Sequence, residues 1–387
     1  MIEGLFWVAA AFVVWTYAGF PIVLFVRAAL RPRPVREDDI TPSVSVVLAA
    51  HNEASAIGPR IENLLASDYP RERLEIVVVS DGSTDGTAAI VASFADRGVQ
   101  ALDLGRVGKA AALDAAVARA RGEIVVFTDA NTAFDPDAIR RLVRPLADPS
   151  VGGVAGDQRY VRPDHGDSSQ GERSYWNLDR RLKVAESRAG NVVSATGAIY
   201  ALRRELVEPV RTGVTDDFFT STAVIAAGRR LVFVDDAIAR EPAAPTTSRE
   251  FERKVRIMTR GLRGVAARRE LLDPRRTGFY ALQLVSHKVL RRTAVVPLLV
   301  MAGAAPLLIA EGAFYRLATL GEVVLLAVGV AGILGAGRSW ARNRLVALPA
   351  FFIMVNLASL RAISNLVRGA RIERWEPRRD PPPERIP

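Results

Sequence analysis

SVSVVLAAHNEASAI, running from Ser43 to Ile57, decides the fold. Val44 to Ala50 is a short apolar run without alternation, as expected of a strand buried on both faces. It stops at the polar turn His51-Asn52-Glu53 and gives way to helix-like spacing over Ala54 to Ala66. The same grammar recurs downstream. Ile76 to Ser80 reads as a buried strand leading through Asp81-Gly82-Ser83 into a helix over Asp85 to Arg97, and Gly108 to Ala120 reads as a helix feeding a strand over Ile124 to Thr128. Short strands alternating with helices from Thr41 to about Asp273 predict an α/β fold, a mostly parallel sheet with helices on its faces. Ligands gather outside the carboxyl ends of such strands, and polar residues stand just after each apolar run.

Outward from this segment the chain turns apolar. Gly4 to Val26 is uncharged and long enough to cross a hydrocarbon core, which makes residues 1–36 an anchor. A secretory leader has a shorter apolar core and a basic start. Arg27, Arg31, Arg33 and Arg36 follow, placing residues 41–275 in the cytosol of a protein integral to the cell membrane, with the N-terminus outside. Within residues 276–367, Phe279 to Arg292 carries His287, Lys288 and Arg291 and suits a helix lying at the interface. Thr293 to Ala310, Leu317 to Gly337 and Leu345 to Val367 suit three further spans. Residues 368–387 form a basic, proline-rich tail. Four spans would return both termini to the outside, whereas the basic tail favours the cytosol. One segment is therefore expected to be re-entrant, with Leu345 to Val367 the candidate because it holds Arg361.

Composition narrows the chemistry. The chain lacks cysteine, which excludes disulfides, thiolate metal sites and cysteine nucleophiles, and its three histidines are scattered. A metal must then rest on oxygen, which favours Mg²⁺ or Mn²⁺. The net charge of +10 lies largely beside apolar segments and accompanies no nucleic-acid recognition motif, so membrane lipids are the expected partners and nucleic acid is not.

Several residues carry chemistry by position. Lys109, one of four lysines against 48 arginines, begins a helix behind Gly108, where an ammonium and exposed N–H groups suit a diphosphate. Asp129 and Asn131 alternate, so on an extended chain both face one way and two oxygens share one cation. Asp216 and Asp217 precede a helix-like run, where one caps the helix and the other projects. Arg253, Arg256 and Arg260 align on one helical face, suited to a diphosphate or lipid phosphates.

Taken in order, Ser43–Ile57, VVVSDGSTDGT (Val77 to Thr87), GKAAALDAAVARARGEIVVFTDAN (Gly108 to Asn131) and TDDF (Thr215 to Phe218) resemble the family 2 glycosyltransferases. This inverting, membrane-integrated family includes cellulose, chitin and hyaluronan synthases, and the resemblance spans roughly Ser43 to Gly264. It implies a GT-A-like fold and hexosyl transfer from a nucleotide-sugar donor, UDP-linked first, to a polysaccharide or oligosaccharide. Asn52, Glu53 and Asp81 would meet the nucleoside, Lys109, Asp129 and Arg256 the donor's phosphates, and Asp129 with Asn131 the metal. Asp217 would be the general base, with Asp216 its alternate. Asparagine stands at 131 where the family carries a second aspartate. The processive synthases carry Gln-x-x-Arg-Trp where this chain reads Arg253-Lys254-Val255-Arg256-Ile257. That departure favours one transfer onto a polyprenyl phosphate or other lipid as the alternative. A non-catalytic nucleotide-sugar sensor or partner subunit is the reading from another class, against which Asp81 and Asp217 weigh.

Overall fold

The computed structural model describes residues 1–161, 170–242 and 247–370 of the 387-residue chain. Most of the tail (371–387), His165, and the side chains of Tyr175 and Trp176 lie outside what is described. Val44–Ala50 is buried at all seven positions, as its largely apolar run, interrupted only by Ser45, predicts. The strands among the described residues are β1 (Val44–Ala50), β2 (Leu74–Asp81), β3 (Val99–Leu104), β4 (Ile124–Phe127), β5 (Ala133–Phe134), β6 (Val151–Val161), β7 (Tyr200–Arg203) and β8 (Arg230–Pro242). They form one sheet in the order β3-β2-β1-β4-β7-β6-β8-β5. Pairings from β3 to β4 are parallel, β7 is antiparallel to both its neighbours, β6 and β8 run parallel, and β5 closes the edge antiparallel to β8. The sheet is thus mixed and mostly parallel, and its parallel half holds the strands legible in sequence.

β6 escaped the sequence reading because glycines interrupt it, and packing is the reason. A Cβ at Gly153 would lie 2.5 Å from Leu202, and one at Gly156 2.7 Å from the Ala237 carbonyl oxygen. Helix Ala54–Leu65 buries Ile57, Ile61 and Leu64, an i, i+4, i+7 stripe laid on the sheet. Each such side chain contributes about 1.5–3 kcal/mol. Helix Lys109–Arg119 buries Ala112, Leu113 and Ala116. The helix expected over Asp85 to Arg97 is shorter: Thr87–Ala92, then a 3-10 turn at Ala95–Arg97 closed by left-handed Gly98.

Residues 33–161 and 190–242 form one compact unit, and residues 1–32, 170–189 and 247–370 another. In the second, Ile2–Leu30, Ala313–Leu334 and Arg344–Val367 are long and apolar enough to cross a membrane. Phe279–Thr293 and Val295–Leu307 pass the same test as a pair bent by 50°, so the break falls here and not in Leu345 to Val367. Leu317, Leu320, Val323 and Leu334 of Ala313–Leu334 point outward without apolar partners, a face suited to lipid. Inside this apolar unit lies a polar cluster. His287 Nδ1 lies 2.6 Å from Glu186 Oε1 and Nε2 lies 3.1 Å from Arg291, while Lys183 pairs with Asp179 at 3.2 Å. Buried ion pairs add little net stability, although removing one partner of such a pair is costly.

Candidate active site

Two loops at the carboxyl ends of β1 and β2 lock together through side chains predicted to meet a nucleoside. Asn52 takes a left-handed conformation (φ 52°), its N–H donates to Ser83 Oγ at 3.2 Å, and its Oδ1 accepts from the Thr84 N–H at 2.8 Å. Asparagine tolerates this backbone better than other side chains. Asp85 accepts from the N–H groups of Thr87 and Ala54, both at 3.1 Å, and so ties two helix starts to one carboxylate. Glu53, buried, is the residue before helix Ala54–Leu65, and its N–H donates to Thr87 Oγ1 at 2.8 Å.

Asp81 ends β2 almost fully buried. Its Oδ1 accepts from the N–H groups of Val107 (2.7 Å) and Gly108 (2.9 Å), and Arg106 lies 3.4 Å from Oδ2. The carboxylate therefore shapes the loop that leads into Lys109. Gly82 (φ 62°) lets that loop close, since a Cβ there would meet the Arg106 nitrogen at 2.8 Å.

Lys109 gathers two of the predicted residues. Its Nζ lies 2.7 Å from Asp129 Oδ1 and 2.9 Å from Asp216 Oδ2, joining the turn after β4 to helix Asp216–Ala226. Burial alone would lower the lysine's pKa, but the two carboxylates outweigh it and hold the ammonium above its ordinary value. Neither aspartate is the helix cap, which is Thr215; both stand in the first turn, where negative charge suits the helix dipole. Asp216 is buried, while Asp217 is half-buried and its Oδ1 accepts from the Phe218 N–H at 2.7 Å. Beneath them Tyr200 stacks on Phe127 at 4.7 Å, and burial keeps its hydroxyl protonated.

Asp129 and Asn131 sit past the end of β4 in a turn, with Thr132 Oγ1 donating to the Asp129 carbonyl at 2.8 Å, so strand alternation does not set their directions. Among the described residues no group of three or more histidine or carboxylate side chains is arranged for a metal. The pair would still offer two oxygens to a hard cation that takes its other ligands from a bound molecule or water. Asn131 donates its amide nitrogen to Glu241 Oε1 at 3.3 Å, which leaves its oxygen as the ligating end. Gly197 keeps room beside Asp129, since a Cβ there would lie 3.2 Å from Oδ2.

Arg60 is a site residue that sequence reading missed. It is 2% exposed, donates to Thr128 Oγ1 at 2.7 Å and lies 4.1 Å over the Phe134 ring. Its neighbour Asn63 binds the N–H and carbonyl of Phe134, so helix Ala54–Leu65 grips both ends of the turn that holds Asp129 and Asn131. Burial pushes the Arg60 guanidinium down to about 9, with Asp129 opposing that shift. Arg256 lies half-buried on helix Thr247–Ala267, in the other unit.

Residues 45–211 match the family described as Glycosyl transferase family 2. An N-acetylglucosaminyltransferase of Azorhizobium caulinodans is 28% identical over 52% of this chain and 55% of its own. A poly-β-1,6-N-acetyl-D-glucosamine synthase of Staphylococcus epidermidis is 28% identical over 52% and 48%. The chain thus spans about half the length of the curated relatives it matches. Among solved structures, a mannosyltransferase of Pyrobaculum calidifontis in complex with GDP-Man and Mn²⁺ aligns over 96% of this chain and 100% of that one, at 27% identity and a TM-score of 0.72. The α/β sheet and its apolar helices are therefore a GT-A-like fold with membrane-type helices near both ends.

Proposed function

We propose that this chain is a membrane-associated family 2 glycosyltransferase, which moves a hexosyl group with inversion from a nucleoside diphosphate sugar to a glycan acceptor. The observation that carries the reading is the meeting of Lys109, Asp129 and Asp216 at the carboxyl ends of the parallel strands. Asp129 and the Asn131 oxygen would hold Mg²⁺ or Mn²⁺. When bound, the ion neutralises charge building on the departing diphosphate. Lys109, presented by Gly108, adds a fixed positive charge on the same side. Asp217, half-buried in the first turn of its helix, takes the acceptor hydroxyl's proton. The acceptor oxygen then bonds to the anomeric carbon as the bond to the diphosphate breaks on the opposite face.

A uridine donor follows the sequence resemblance, and the full-length likeness to a GDP-Man-bound mannosyltransferase puts GDP-mannose beside it. Detergent-purified protein is expected to release nucleoside diphosphate from one donor of a panel including UDP-N-acetylglucosamine, UDP-glucose and GDP-mannose, at least tenfold faster with Mn²⁺ or Mg²⁺ than with EDTA. Equal release in EDTA overturns the metal assignment; no release from any donor with membrane lipid added favours the sensor reading. Ile257, where processive synthases carry tryptophan, supports a second reading in which the acceptor is a polyprenyl phosphate or other lipid.

With three straight spans, and the bent 279–307 pair read as re-entrant instead of as a broken span, the N-terminus lies outside and the catalytic unit and the tail lie in the cytosol. The chain has no cysteine, so single introduced thiols report cleanly. Ser339→Cys is expected to react with an impermeant maleimide from outside intact cells, and Gly312→Cys only after lysis. The reverse pattern means that the bent pair crosses and the tail lies outside.

A further inference from the structure

We propose that Glu241 supplies the carboxylate that the Asp129-x-Asn131 pair lacks, by orienting and polarising the Asn131 amide for the metal. The inference rests on reading Asp129 and Asn131 as the cation site.

Sheet register brings the pair together across 110 residues. β5 runs antiparallel to β8 with Ala133 opposite Arg240, so Glu241 arrives at the level of Thr132, one residue from Asn131. Arg240 locks that register by gripping both oxygens of Asp135, at 2.7 and 2.9 Å. On the other side β6 places Tyr160 opposite Glu241. Gln158 donates to Glu241 Oε2 and, at 3.1 Å, to the Tyr160 hydroxyl. One carboxylate oxygen is thereby held by Gln158 and the other is presented to the Asn131 amide nitrogen.

Two consequences follow for a bound cation. An amide is a neutral ligand whose orientation is ambiguous by half a turn, and a carboxylate accepting from its nitrogen fixes the oxygen toward the ion. The same hydrogen bond shifts electron density toward that oxygen and leaves a full negative charge one group away from the metal, as carboxylates behind histidine ligands do. An aspartate at 131 would instead face Glu241 with like charge, which accounts for asparagine at this position.

Mn²⁺ binding to the full chain in detergent, followed through the EPR signal of free Mn²⁺ with and without UDP or GDP, tests this without turnover. Glu241→Gln is expected to weaken Mn²⁺ binding about 10–100-fold, the range for loss of a partner behind a metal ligand, with the melting temperature unchanged. Asn131→Asp alone is expected to improve binding by less than about threefold, because the introduced carboxylate and that of Glu241 repel. Combining Asn131→Asp with Glu241→Gln, which exchanges carboxylate and amide, is expected to restore binding to within about threefold of wild type, since one carboxylate and one amide again face each other. Wild-type affinity in Glu241→Gln, or a double variant as weak as Glu241→Gln, overturns the proposal. Should wild type and Asp129→Asn bind Mn²⁺ alike, the cation-site reading itself fails, and this proposal with it.

Discussion

Asp217→Asn is expected to lower turnover about 10³-fold, within the 10²–10⁴ range for loss of a positioned general base, while the affinity for donor stays within a factor of three. The substitution keeps size and the hydrogen bond from the Phe218 N–H, but an amide oxygen cannot take a proton from an acceptor hydroxyl at neutral pH. Loss of one negative charge from the first helical turn costs at most about 1 kcal/mol, so the protein remains folded. Asp216→Asn provides the contrast. Asp216 is buried and bound to Lys109, so its replacement acts through the lysine and raises KM for the donor more than it lowers kcat. Nucleoside diphosphate release, read beside donor binding by calorimetry, separates the two. An Asp217→Asn protein with more than a tenth of wild-type turnover, or an Asp216→Asn protein with the larger loss in kcat, would move the base assignment to Asp216.

The parts of the site legible in sequence are those whose meaning is local. β1, β2 and β4 are parallel strands buried along almost their whole length and read as largely apolar runs; the residues ending them fall where such sheets bind ligands. β6 and β8 carry glycines or polar residues imposed by neighbours far along the chain, so no periodicity announces them. The same division holds for side chains. Asp81, Lys109, Asp129 and Asp217 were visible as polar residues after strands or before helices. The loop-shaping bonds of Asp81 were not, because they depend on a segment 25 to 27 residues away. Arg60 reads as a surface arginine on an amphipathic helix until the fold sets it against Thr128, 68 residues on. Asn131 stood in sequence as a departure from the family's aspartate for a comparable reason: its partner Glu241 is contributed by β8, a strand that the sequence does not mark.

Lys109→Met is expected to lower kcat/KM for the donor by about 10²–10³, the cost of removing one fixed charge from a site where negative charge develops. The substitution keeps most of the length of the side chain and removes its cation, leaving Asp129 and Asp216 to face each other without the ammonium between them. Breaking a buried pair costs about 3–5 kcal/mol; water reaching the 29%-exposed Asp129 reduces that toward about 2 kcal/mol. The lysine's pKa is raised in the folded protein, so its contribution is complete below the unfolded value near 10.4 and fades only as pH rises through the higher folded value. The loss in melting temperature is therefore expected to be the same at pH 6.5 and pH 9. Adding Asp216→Asn removes the repulsion and should recover most of the melting temperature, but none of the turnover. That divergence distinguishes a charge directed at the diphosphate from one that merely neutralises two aspartates: if the double variant regains activity along with stability, Lys109 serves the fold alone.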